Sequence, residues 1–264
     1  HQLLLHHQIL DRGFITFGVY QDFAPWSWEE GGKPTGLDVA LGEAIADEMG
    51  LEARFRILAA DETVDDDLRN FVWKGHPTAG GVVNVMLHVP YDTNLACRNE
   101  LVVFTGQYHQ VELAIAYAPE AFDGAAPTPA FFRFNKVGVQ NDSIADFYLT
   151  GFAGGLIVPK MVRYASTVEA VGGLSRGEVD AVLGTQGELQ FGLDQAGGGR
   201  KLEIHMPPLA GLGRSDWVIG AAVRHSYREL GYVVDDAIVA LIDSGRMAAI
   251  FDEHGLSWTR PPYR

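Results

Sequence analysis

The sequence predicts an α/β protein of two units, each a mixed, mostly parallel sheet flanked by helices. Three observations carry that expectation. Short apolar, β-branched runs alternate with helically periodic stretches over residues 13–89, the pattern of a parallel sheet with helices on its faces. The alternation begins again near residue 111. After residue 216 one more apolar run leads into two amphipathic stretches, so the tail is expected to rejoin the first unit and the second unit to be an insertion.

In order along the chain, GFITFGVY (13–20) reads as a strand buried on both faces. Residues 36–50 carry Leu37, Leu41, Ile45 and Met49 at helical spacing and end on Gly50, a C-terminal cap. EARFRIL (52–58) is a second strand, and 65–75 a helix with acidic residues at its start and Lys74 at its end, the polarity that the helix dipole favours. GVVNVMLHV (81–89) is a third strand. Between the first strand and first helix, residues 21–35 read as a loop that holds Phe23, Trp26 and Trp28.

The second unit opens with a strand over 111–119, a Pro/Ala/Gly loop, and a strand at 136–140. Ser143 with Asp146, and Ser166 with Glu169, fit capping boxes for two helices. Strands follow at 179–184 and 201–206, separated by the turn at 197–200, and 216–223 is a returning strand before the two closing helices. Ligands of open α/β sheets bind outside the carboxyl ends of strands. The aromatic loop 21–35 occupies such an end, so its rings are expected to line a cleft.

Composition sets the outer limits. The chain has 264 residues, 47% of them hydrophobic, which is ample for a full core. Its net charge of −14 argues against nucleic acid and anionic membrane surfaces as partners. The single cysteine, Cys97, forms no intrachain disulfide, and no zinc-type spacing is present. No catalytic order of Ser, His and Asp, nucleotide loop or metal motif appears, so neither a cofactor nor a metal is expected. HQLLLHHQIL at the start lacks the features of a signal peptide.

The order of these segments resembles the periplasmic solute-binding proteins of the polar amino-acid type, with the type II binding-protein fold. ILDRGFITFGVYQDFAPWSW…GLDVALGEAIADEMGL resembles that family's first strand, aromatic-Pro-aromatic loop and helix entry. KVGVQNDSIADFYL resembles the turn that opens its second lobe, and WVIGAAVRHSYRELGYVVDDAIVALIDSGRMAAIFDEHGLSW its last strand and closing helices. The resemblance implies two lobes, 1–107 with 208–264 and 108–207, joined by hinges near 104–112 and 205–216, that close on a solute.

It also implies site residues. Phe23 stands where the family stacks an aromatic on the ligand; the alternative is packing against Trp26 and Trp28. Trp26 is assigned to the lobe core, while Trp28 stays open between ligand and core. Arg98, six residues before Phe104, matches the arginine that grips the ligand carboxylate, although the stretch that leads to it is longer than the family's. Asp142 and Ser143 stand where the family has Gly-Thr or Gly-Ser at an anion-binding helix start, and Asp142 replaces the glycine. Thr185 stands where the family places the aspartate that pairs with the ligand ammonium; Asp22, Asp65, Asp92 or Glu188 are candidates to supply that charge. Tyr20 replaces a second acid that some members carry. His88 is open between a ligand contact and a satisfied buried histidine, and Tyr108 between a cleft wall and an interlobe strut.

The implied function is non-catalytic binding of a small polar or carboxylate-bearing, amino-acid-like solute in the periplasm, as a monomer that serves an ABC importer. One alternative is an accessory binding protein of a periplasmic quinoprotein (methanol or alcohol) dehydrogenase. A lower alternative is a dehydratase-like enzyme on the same fold.

Overall fold

The computed structural model describes residues 9, 11–78 and 80–262. The chain divides into two compact units. Unit 1 comprises 1–110, 217–254 and 258–264, and unit 2 comprises 111–216 with 255–257.

Unit 1 starts with β1 (Phe14–Tyr20). A three-stranded antiparallel ribbon of β2 (Asp22–Phe23), β3 (Ser27–Glu30) and β4 (Lys33–Thr35) follows, so residues 21–35 are not the irregular loop expected from the sequence. Each strand of the ribbon is too short to carry a readable period of two, which is why it read as loop. Helix α1 (Leu37–Glu48) presents Leu37, Leu41 and Ile45, all fully buried, along one face. Burial of such side chains is worth about 1.5–3 kcal/mol each. The chain leaves α1 through Gly50 in the left-handed region (φ 69°) and enters β5 (Glu52–Leu58). β5 lies parallel to β1 in the register Phe14 to Glu52 through Tyr20 to Leu58.

Helix α2 (Val64–Leu68) is capped by Thr63, whose hydroxyl accepts the Asp66 N–H, and continues as a π-helical turn through Trp73. β6 (Val85–Pro90) begins later than the sequence suggests. Asn84 stands before it, exchanging hydrogen bonds with the backbone of Thr16 through its own N–H (3.0 Å) and its side-chain oxygen (2.9 Å). A short helix, α3 (Thr93–Arg98), not foreseen from the sequence, is capped by Asp92.

β7 (Val102–Tyr117) is one strand of 16 residues. It belongs to unit 1 up to Gln110 and to unit 2 from Val111. The sequence reading begins this strand only at residue 111, because the polar residues 105–110 interrupt the apolar run.

Unit 2 then builds β8 (Val137–Gln140), α4 (Ile144–Gly151), β9 (Met161–Tyr164), α5 (Thr167–Ser175), β10 (Ala181–Thr185), α6 (Gln186–Ala196) and β11 (Glu203–His205). Ser143 and Ser166 cap α4 and α5 through the N–H groups of Asp146 and Glu169, as their spacing predicts. β9 and α6 are not assigned in the sequence reading. β8 is parallel to β9 and β10, while β10 and β11 run antiparallel to β7.

β12 (Asp216–Arg224) returns antiparallel to β6, followed by α7 (Arg228–Asp243) and α8 (Arg246–Glu253). In unit 1 the sheet order is β5-β1-β6-β12-β7. The chain therefore steps from β1 to one side and then to the other. That reversal places a crevice outside the carboxyl end of β1.

Candidate functional site

A cavity of about 540 Å3 opens at this point of unit 1. It is lined by Tyr20, Gln21, Asp22 and Phe23 after β1, and by Ala59 to Val64 and Asp67 after β5. The Tyr20 hydroxyl donates to Asp67 Oδ2 at 2.6 Å, and the Asp61 N–H donates to Asp67 Oδ1 at 2.7 Å. Asn70 Nδ2 in turn holds the Asp61 carboxylate at 2.8 Å. Asp67 is only 3% exposed, and burial pushes its carboxyl above the ordinary range, against the pull of the Tyr20 hydrogen bond. Burial first, and then the Asp67 charge, push the Tyr20 phenol up strongly, so it acts as a donor.

Among the described residues the lining therefore carries the carboxylates of Asp22, Asp61, Glu62 and Asp67 and no lysine, arginine or histidine. Its apolar part is Phe23, Ala59, Ala60 and Val64. An acidic cavity with an aromatic wall favours a cation: the carboxylates attract it and a ring face accepts it.

Phe23 stands edge-on to Tyr20 (6.0 Å between centroids) and to His88 (4.9 Å). Trp26, 2% exposed, packs against His88, His109 and Phe251, the core position expected for it. Trp28 is half-buried, in register with Asp22 and Thr35 in the ribbon, and its ring crosses Gly36. The ribbon thus has one ring in the core, one on the cavity wall and one over the entry to α1.

His88 is buried, with φ of 58°, in the left-handed region. Its N–H donates to the Tyr108 hydroxyl at 2.9 Å, that hydroxyl donates to Asp38 Oδ1 at 3.0 Å, and His88 Nδ1 faces Asp38 Oδ2 at 3.0 Å. Asp38 lies in the first turn of α1, where the helix dipole favours an anion. His88 and Tyr108 therefore sit in a buried polar network of unit 1, and His88 supports the ring of Phe23 from behind.

Arg98 ends α3. Its Nε and Nη2 donate to Asp65 Oδ1 (3.3 Å) and Oδ2 (3.1 Å), and Asn99 Nδ2 adds a third bond to Oδ1 at 2.7 Å. Arg98 lines a separate, smaller cavity of about 280 Å3 with Trp73 and Cys97 to Leu101. Phe23 and Arg98 thus belong to two different cavities of unit 1.

In unit 2, Asp142 holds φ of 57°, the conformation that a glycine would take there. It does not cap α4; Ser143 does. The Asp142 N–H donates to Asp146 Oδ2 at 3.1 Å, while Arg163 clasps the same carboxylate at 2.9 and 3.0 Å. These bonds and a fourth from Thr150 hold the Asp146 carboxyl below its ordinary range against the effect of burial. Thr185, at the end of β10, donates its hydroxyl to the Glu188 carboxylate. Glu188 is buried, so an acid does stand beside the position that lacks the expected aspartate.

Asp61 and Asp67 had not been singled out from the sequence. The signal available was the acidic run DETVDDD directly after the second strand, at a carboxyl end where sites form. Tyr20 had been noted only as a missing acid, and the structure shows it carrying an acid, Asp67, on its hydroxyl.

Residues 15–69 match the family model described as "Bacterial extracellular solute-binding proteins, family 3", the kind of protein that the sequence resembles. The L-arginine-binding protein of Pseudomonas aeruginosa is 25% identical over 246 residues, covering 91% of this chain and 87% of that protein. Among solved structures, an ancestral cationic amino acid solute-binding protein matches with a TM-score of 0.73 at 18% identity, covering 94% of this chain and 98% of that one. An amino acid ABC transporter substrate-binding protein from Streptococcus pneumoniae, bound to L-arginine, matches with a TM-score of 0.64 at 19% identity, covering 97% and 98%. A second structure of that same ancestral protein, described there as a precursor of cyclohexadienyl dehydratase, matches with a TM-score of 0.61 at 18% identity, covering 94% and 98%. These likenesses establish the fold, that of the type II periplasmic binding proteins.

Proposed function

We propose that this chain, similar to the family 3 extracellular solute-binding proteins, is a periplasmic receptor that captures a small amino-acid-like solute and delivers it to an ABC importer. The solute carries a cationic group. The observation that carries this reading is the unit 1 cavity, where Asp22, Asp61, Glu62 and Asp67 face a space walled by Phe23, with no basic side chain among the described residues of the lining. The L-arginine-binding relative and the arginine-bound neighbour support the same class of solute.

In this reading the cation enters the acidic cavity and stacks on Phe23, with Trp28 and His88 holding that wall. Arg98 receives the carboxylate. Ser143 and the backbone at Asp142 contribute polar contacts from unit 2. Glu188, oriented by Thr185, provides a further anionic group there. Closure of the two units on the solute belongs to the proposal, and no catalytic step does. The curated relative favours the receptor over the dehydrogenase-accessory role.

Thermal shift and titration calorimetry with L-arginine, L-lysine, L-glutamate, succinate and sucrose test it. A bound solute raises the melting temperature by mass action. Arginine or lysine is expected to do so and glutamate and sucrose are not. A protein stabilised by none of the amino acids, or by glutamate and not by the basic ones, overturns the proposal.

A further inference from the structure

The guanidinium of Arg98 is already engaged in the manner in which it would hold a carboxylate. Nε and Nη2 approach the two oxygens of Asp65 side by side, at 3.3 and 3.1 Å, the two-point fork that arginine makes with carboxylates. Asn99, which also bonds the Leu95 carbonyl at 2.9 Å, fixes the Asp65 carboxylate from a third direction. Asp65 lies between Val64 and Asp66 at the start of α2, and both Val64 and Asp67 of that helix line the acidic cavity. The pair therefore stands next to the proposed site rather than remote from it.

We propose that the Asp65–Arg98 pair is a selectivity filter, opened by solutes that carry a carboxylate and an ammonium side by side. Such a solute inserts between the two side chains, its carboxylate taking the guanidinium and its ammonium taking the released Asp65. One ion pair is exchanged for two. A solute with a carboxylate alone displaces Asp65 and leaves that anion without its partner, and a solute with an amine alone does the same to Arg98. Asp65 then supplies the acid that position 185 lacks.

Two physical features make the exchange feasible. The side chains are 59% and 39% exposed for Arg98 and Asp65, and ion pairs so open to water are weak. The hydrogen bonds from Arg98, first, and from Asn99 hold the Asp65 carboxyl below its ordinary range, so it is ionised when the solute arrives. The charge of Asp92, the N-cap of α3, also acts on Arg98. It adds to the preference for a solute that brings a positive charge with its carboxylate.

The inference rests on the reading of Arg98 as the carboxylate-binding residue, and the test separates the two. Calorimetry on the full chain uses L-arginine, its decarboxylated amine (agmatine) and its deaminated acid (5-guanidinopentanoate), which share one side chain. Asp65→Asn keeps the shape and removes the charge. It is expected to weaken L-arginine about two- to fivefold and to tighten the deaminated acid by a similar factor. Arg98→Ala is expected to weaken L-arginine and to tighten agmatine about two- to fivefold, since its ammonium no longer has to part Asp65 from the guanidinium. An Asp65→Asn protein with unchanged or tighter L-arginine binding sinks the filter alone. An Arg98→Ala protein with unchanged L-arginine binding sinks the role of Arg98 and the filter with it. Absence of binding of all three probes to the unmutated protein overturns both the receptor and the filter.

Discussion

The hydroxyl of Tyr20 donates to Asp67 Oδ2 across 2.6 Å, joining residues 47 positions apart. This bond closes the floor of the unit 1 cavity, and with the Asp61 N–H it accounts for both oxygens of a carboxylate that is almost fully buried.

Tyr20→Phe removes the donor and leaves the ring. The loss of a partner for a buried acceptor costs about 1–3 kcal/mol, and urea unfolding at pH 7 should show a deficit of that size. The folded-state carboxyl of Asp67 titrates above its ordinary range, so it is discharged as pH falls through that raised value. Hydrogen bonds to a charged acceptor are the stronger ones, and the deficit should therefore shrink in acid. A deficit that is equal at pH 7 and pH 4 would refute this account.

His109 is buried between Trp26 and Phe251, with the Thr259 N–H 3.4 Å from its Nδ1. Burial first, and then the neighbouring His88, lower its pKa from 6.5 to about 3. A group whose folded-state pKa is depressed contributes stability that is fully present above the unfolded value and is lost as pH falls toward the folded one. Between pH 6.5 and 3 the unfolded chain takes up a proton here that the folded chain does not, which amounts to about 1.4 kcal/mol per pH unit. Unfolding of the parent and of His109→Gln at pH 7.5, 5.5 and 4.5 isolates the site. The parent should lose its advantage over the variant as pH falls, and parallel curves would show that His109 does not carry the effect.

Gly36 precedes α1 with φ of 116°, and a Cβ there would lie 2.5 Å from the Trp26 carbonyl oxygen and 2.9 Å from the Trp28 ring. Backbone, not a flexible side chain, blocks the first of these. Gly36→Ala should destabilise the fold by about 2–4 kcal/mol and alter tryptophan fluorescence. Gly31→Ala is the control, because Gly31 also has positive φ (59°) but no atom within 4 Å of the added methyl. It should cost only about 1 kcal/mol. Equal losses at the two positions would mean that the contact with Trp26 is not what requires the glycine.

Much of the scaffold was legible because it is written locally. The stripe Leu37, Leu41, Ile45 and the caps at Ser143 and Ser166 depend on residues three or four apart, and all three fall where their spacing predicts. The two closing helices follow the same rule. The ribbon β2–β4, helix α6 and the continuity of β7 did not show. Their strands are too short, their faces too polar or their apolar runs too interrupted for a period to emerge.

By itself the sequence determined the α/β alternation and the helix stripes and caps, since periodicity and capping act over a few residues. Only the tertiary structure decided what the charged and aromatic residues do. It joined Tyr20 to Asp67 and Arg98 to Asp65, set Phe23 against His88, and placed the Asp146 carboxylate on the Asp142 N–H. Hydrogen-bond and ion-pair partners are chosen by proximity in space, and for most of these pairs the chain between the partners is tens of residues long.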